Sequence, residues 1–205
     1  MKTIRIAANE TAPSKIVCIG RNYLEHIREL GNETPDEMVI FNKPNSAISE
    51  VLYAARDGEP LHYEGEICFT VRSGALHAIG FGLDLTRREL QSKLKAKGLP
   101  WERAKAFDGA ACFSDFVALG ETDITGLSLQ LEVDGEIRQD GGYDLMMHKP
   151  DQILQGIKAF MTLEDGDIVM TGTPSGVGRV NAGERFTVRI LAAGRELLSH
   201  AWLAE

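Results

Sequence analysis

Leu127, Leu129, Leu131 and Val133 alternate with smaller or polar residues, the period of a strand with one buried face. Asp134-Gly135 then supplies a hairpin turn, and Glu136 to Arg138 begins a return strand. Phe186, Val188 and Ile190 repeat the alternation near the C-terminus. Ile16 to Ile19 and Asp167 to Thr171 are short continuous apolar runs, and Leu61 to Val71 opens a further strand. Helical punctuation is sparser. Asn22 followed by Glu25 resembles a capping pattern, and Gly31 closes a short helix over Tyr23 to Leu30. Thr86 and Glu89 form a T-x-x-E capping box, Leu90 and Leu94 share a face, and Gly98 with Pro100 stops that helix. Pro150 suits the first turn of a third helix, with Ile153, Ile157 and Phe160 as its apolar stripe. Three helices scattered among many strands predict an α+β fold on a mixed, curved sheet. No repeat, linker or long charge run divides the chain, so residues 1–205 are expected to form a single domain.

Composition narrows the function. An apolar fraction of 43% and a charged fraction of 25% are ordinary globular values, sufficient for a core without staples. The net charge of -8 repels phosphate backbones and no Lys/Arg stripe offsets it, which argues against a nucleic-acid partner. MKTIRIAANE has no apolar h-region, and no stretch approaches the roughly 18 apolar residues of a membrane span, so a soluble, cytoplasmic protein without membrane contact is expected. Cys18, Cys68 and Cys112 lie in apolar stretches without metal-ligand spacing and read as buried, reduced thiols.

Four groups of residues carry candidate chemistry. Glu64 and Glu66, at i and i+2 on a strand, point to the same side. Carboxylates so placed repel unless a cation lies between them, and a hard divalent ion fits, with Asp84 as candidate third ligand. A solvated strand face would carry the same residues. His26 and Glu29, at i and i+3, share a helix face, and a carboxylate-oriented imidazole is a general base near neutral pH, although such pairs are also common surface contacts. Lys105 sits among small and aromatic residues that can exclude water, or it snorkels to the surface. TGTPSGVG, residues 171–178, follows an apolar strand and can bring backbone N–H groups to an anion such as a carboxylate, or be a plain turn. It lacks the Gly-Lys-Ser/Thr of a P-loop.

Taken in order, GRNYLEHIREL, FNKPNSA, LHYEGE, GLDLT, KGLPWERAKAFDG, VDGEIRQ and TGTPSGVG resemble the fumarylacetoacetate hydrolase superfamily. The likeness spans about residues 15 to 190 and is greatest to the short, single-domain acylpyruvase and isomerase-like branch. It implies strands rolled around a central site, a homodimer, and magnesium or manganese held by Glu64, Glu66 and Asp84. It also implies that Tyr23 to Leu30 is a mobile helix covering the site, with His26 and Glu29 as a water-activating dyad. Lys105 would stabilise developing negative charge, and Arg21, Lys43, Gln91 and Thr173 would bind substrate. Two departures stand out. Tyr63 replaces a second histidine of many relatives, and only CFTVRSGALHAIGFGL separates Glu66 from Asp84, where relatives often carry a helix. The activity implied is hydrolytic cleavage of a carbon–carbon bond in an acylpyruvate, of the fumarylpyruvate or acetylpyruvate type, with pyruvate leaving as a metal-bound enolate. Oxaloacetate decarboxylation, tautomerisation, or isomerisation of a 2-oxo diacid would use the same site. A non-catalytic, metal-dependent binding protein would leave His26, Glu29 and Lys105 without a role.

Overall fold

In the computed structural model, which describes residues 1–205, two sheets carry most of the chain. The larger has seven strands. Its main path runs Ala111–Phe113, Ala75–Asp84, Gly65–Arg72, Ile168–Met170, Lys15–Gly20 and Val39–Pro44, and Val117–Ala118 pairs with Ala75–Asp84 at one side. Ile168–Met170 runs parallel to Lys15–Gly20, whereas the remaining pairs are antiparallel, so the sheet is mixed. The smaller sheet is an antiparallel meander of Glu136–Gly142, Leu127–Val133, Arg185–Ala192 and Arg195–Leu203. Register shifts at Thr70/Val71, Leu131/Glu132 and Ile190/Leu191 bend both sheets, because a bulge increases local twist. The α+β reading from the sequence therefore holds.

The alternation read in Leu127–Val133 is present residue by residue, with Leu127, Leu129, Leu131 and Val133 buried. They pack with Phe186, Val188 and Ile190 against Ile67, Phe69, Ile79, Phe81 and Leu83 of the larger sheet, forming the main core between the sheets. Side chains two apart share a face, so Glu66 and Cys68, offset by one from Ile67 and Phe69, point to the opposite face. That face holds a second cluster with Ile16, Cys18, Cys68 and Met170. All three cysteines are buried and free.

Four α-helices decorate the sheets: α1 (Leu24–Glu29), α2 (Arg88–Ala96), α3 (Glu102–Lys105) and α4 (Pro150–Lys158). In α4, Ile153, Leu154 and Ile157 pack on Val17, Ile19, Val71 and Val169. Phe160 does not continue this stripe. It lies past the helix end and is 62% exposed. Both expected side-chain caps are also absent. Asn22 instead spans two segments, donating to the carbonyls of His148 (2.9 Å) and Thr171 (2.8 Å) and accepting from the His148 N–H (2.7 Å). Thr86 is buried and α2 begins two residues later, because the Thr86 hydroxyl serves Lys105 and the Asp84 carbonyl. The strand opened by Leu61 is interrupted at Glu64, between His62–Tyr63 and Gly65–Arg72. No helix is long and apolar enough to cross a membrane.

Candidate active site

Gly65–Arg72 and Ala75–Asp84 form one hairpin closed by a two-residue turn. Glu66 lies opposite Gly82, and the Asp84 N–H donates to the Glu64 carbonyl at 2.8 Å. This register sets Glu64, Glu66 and Asp84 on one face at the open end of the hairpin. Each is buried, and one carboxylate oxygen from each lies within 4.8 Å of the others.

Three buried carboxylates so close demand positive charge. Lys105, itself buried, donates from Nζ to Glu64 Oε2 (2.8 Å), Asp84 Oδ2 (2.6 Å) and Thr86 Oγ1 (2.7 Å). Lys43 Nζ approaches Asp84 Oδ1 at 2.8 Å, and the Arg88 guanidinium pairs with Glu64. Burial alone would raise Glu64, but Lys105, Arg88 and His26 hold its carboxyl well below the usual range. Burial also opposes charge on Lys105, but Asp84 and Glu64 raise its pKa above the ordinary lysine value. Glu66 has less help. Burial, reinforced by Asp84 and Glu64, pushes it well above the usual carboxylate range despite a 2.7 Å hydrogen bond from the Gly172 N–H.

These residues fit a hard divalent cation. The donors are all carboxylate oxygens, and Glu66 is driven toward its neutral form by burial and its anionic neighbours.

Above the triad lies the Gly-rich loop. Gly172 adopts φ +95, and a Cβ there would sit 2.7 Å from the Cβ of Asn22, so only glycine lets the N–H meet Glu66. Gly176, at φ +96, packs so tightly that a Cβ would fall 1.8 Å from the Arg138 carbonyl oxygen. Its N–H donates to Glu29 Oε1 at 3.0 Å, and Glu29 Oε2 lies 3.3 Å from Nδ1 of buried His26. α1 is thus docked over the site through its own carboxylate. It is launched from Arg21, which holds a left-handed φ of 55, a conformation that costs a non-glycine residue of order 1–3 kcal/mol.

The remaining expected residues fall in different places. Gln91 is buried and accepts from Arg88 Nη1 at 2.8 Å. Arg21 donates from Nη1 to the Glu33 carbonyl at 3.4 Å. Lys43, expected at the substrate, is 0% exposed and faces Asp84 and the Lys105 carbonyl, so it stands behind a carboxylate rather than before a ligand. Thr173 has its hydroxyl engaged, donating to the Gly65 carbonyl (2.9 Å) and accepting from Gln139 Nε2 (2.8 Å). Tyr63 belongs to the main core, edge-on to Phe186 at 5.2 Å. Sequence reasoning missed Arg88, Thr86 and Gln139. Arg88 follows Asp84 by four residues at the start of a helix, which was a usable signal. Gln139 binds Gly65, Thr173 and Pro174 across more than seventy or thirty positions of sequence, and no local pattern announces it.

Residues 15–197 match the family model described as fumarylacetoacetate (FAA) hydrolase C-terminal. Oxaloacetate tautomerase YcgM of Escherichia coli is 39% identical over 191 residues, covering 85% of this chain and 87% of that protein. The mitochondrial oxaloacetate decarboxylase of Dictyostelium discoideum is 36% identical over 186 residues, covering 83% of this chain and 85% of that one. Fumarylpyruvate hydrolase from Pseudomonas aeruginosa, solved with Mn2+ and pyruvate, superposes with a TM-score of 0.89 at 28% identity, covering 99% of this chain and 95% of that chain. With a likeness that takes in the metal-competent hairpin, the docked helix and the Gly-rich loop alike, the chain belongs to the fumarylacetoacetate hydrolase family.

Proposed function

We propose that the protein is a divalent-metal enzyme that interconverts the keto and enol forms of a small 2-oxo diacid, with oxaloacetate as reference substrate. The observation that carries this reading is the charge balance of the site. Glu64, Glu66 and Asp84 are faced by three cations, Lys43, Lys105 and Arg88, so a divalent ion adds two positive charges without a partner in the chain. A 2-oxo diacid brings two negative charges. The similarity to oxaloacetate tautomerase YcgM supports the same choice over acylpyruvate hydrolysis.

Magnesium or manganese on Glu64, Glu66 and Asp84 would supply Lewis acidity toward the 2-oxo group, which acidifies the C3 protons. With Glu29 holding His26 through Nδ1, Nε2 is left as the basic atom and takes a proton from C3. Lys105 Nζ, released from the carboxylate oxygens of Glu64 and Asp84 that it now engages once these hold the cation, would donate to the 2-oxo oxygen as negative charge builds there. Delivery of the imidazolium proton to that oxygen completes the enol, and the reverse sequence regenerates the ketone. α1, docked on the Gly-rich loop, excludes water while the proton moves. Lys43 touches no reacting atom in this scheme and positions Asp84.

Acylpyruvate hydrolysis remains the second reading, favoured by a specific feature. A cavity of about 510 Å3 beside Lys105, walled by Phe41, Leu99, Pro100 and Trp101, offers room for an acyl arm that oxaloacetate lacks. There His26 would activate water, as the sequence implied. The two readings separate by assay. Loss of the ultraviolet absorbance of enol-oxaloacetate should be accelerated by metal-loaded protein, abolished by EDTA, and slowed roughly 100-fold by His26→Ala. Turnover of acetylpyruvate or fumarylpyruvate without any acceleration of oxaloacetate tautomerisation would reverse the order.

A further inference from the structure

Arg88, Gln91 and Lys95 occupy positions i, i+3 and i+7 of α2 and so share one face. Arg88 reaches the triad, and Lys95 lies about 10 Å further along the helix axis at 1.5 Å per residue. Lys95 Nζ donates to Asn32 Oδ1 at 3.1 Å, just beyond α1, and stands 5.5 Å from the centroid of the Trp101 ring. Arg21 reaches the same segment through the Glu33 carbonyl. Neither Lys95 nor Arg21 forms an ion pair, and Nε of both Arg21 and Arg88 is buried without a partner. In a chain with 30 acidic against 22 basic residues, two cations without acids of their own, beside a third that shares Glu64 with Lys105, are an anomaly. Burial, reinforced by Arg21 and Arg88, lowers the Lys95 pKa to about 8.

We infer that Lys95, with Arg21 beside it, binds the remote carboxylate of the 2-oxo diacid and is a specificity-determining residue of this chain. The anion would supply the negative charge that Arg21 and Lys95 lack, and would join α2 to the segment following α1. The inference rests on the 2-oxo diacid reading, so its test measures binding and not turnover.

Calorimetry on the Mg2+-loaded protein would compare 3,3-difluoro-oxaloacetate, which cannot enolise at C3 and carries a remote carboxylate, with oxalate, which has no remote arm. Lys95→Met should weaken the difluoro compound by about tenfold, the scale of one charge-assisted hydrogen bond, and leave oxalate within about twofold. Lys95→Arg should retain most of the affinity. Lys93→Met, which removes the same charge from an exposed position of α2, should change neither ligand. Equal weakening of both ligands by Lys95→Met would overturn the assignment, as would no change in either or a wild type that binds neither. If the wild type binds the difluoro compound in a Lys95-dependent way yet fails to tautomerise oxaloacetate, the remote subsite stands and the proposed reaction falls.

Discussion

Glu66 shows how a single side chain couples the metal to pH. Burial and two anionic neighbours raise its pKa, so the folded, metal-free protein keeps a proton that the unfolded chain releases. Its contribution to stability is therefore full below the ordinary carboxyl value of about 4.3 and is lost as pH rises toward the folded value. Glu64 has the opposite sign. Held low chiefly by Lys105 against its burial, it contributes above the ordinary value and loses that contribution on acidification. A bound divalent cation displaces the Glu66 proton, so the increase in Tm produced by saturating Mn2+ should grow from about pH 5 to about pH 8. Scanning fluorimetry across that range checks this, and Glu66→Gln should weaken metal binding and flatten the trend. An increase independent of pH would mean that Glu66 is already ionised. At this scale the sequence was informative about the carboxylates, because parity along a strand fixes the face of Glu64 and Glu66. It was less informative about Lys43, whose enclosure follows from its pairing with Ile16 across two strands far from the motif that contains it.

Among the elements, α1 combines short length with a demanding position. Six residues are too few for a stable isolated helix, so its order comes from what it docks against. Glu29 accepting from the Gly176 N–H is one such contact, and it depends on a φ of +96 that alanine tolerates poorly and a Cβ that has no room. Gly176→Ala should accelerate amide exchange across 24–29 and reduce turnover by about tenfold or more, while exchange in Leu127–Val133 stays slow. Unchanged exchange in α1 would show that other contacts hold it. The existence of α1, α2 and α4 was legible from periodicity and stop signals, but their beginnings were not. Thr86 had the form of a cap, and a buried ammonium claimed its hydroxyl. Asn22 did too, but its amide joins two distant segments. Local pattern cannot reveal such competition, because the competing partners lie 19, 126 and 149 positions away.

For the whole molecule, the main hydrophobic core and the carboxylate cluster occupy opposite faces of the larger sheet. Lys43, Lys105 and Arg88 already oppose the three carboxylates, so removing the metal leaves no large uncompensated charge. EDTA treatment should therefore abolish activity yet leave the far-ultraviolet circular dichroism spectrum unchanged, with only a lower Tm. Collapse of the spectrum would mean that the cation is structural. The mixed topology itself was not readable from periodicity, since one parallel pairing, Ile168–Met170 beside Lys15–Gly20, joins segments about 150 residues apart. Likeness in motif order supplied what period could not.

The turn at Ser73 and Gly74 lies at the far end of the hairpin from the carboxylates, and Ser73 is exposed. Opening the chain there would leave Glu64 and Glu66 on one fragment and Asp84, Arg88 and Lys105 on the other, with the core strands also divided between them. Neither half could assemble the ligand set alone, so joining the halves would itself sense the ion. A divalent cation would act as the rivet of a split protein, strengthening fragment complementation in proportion to its occupancy.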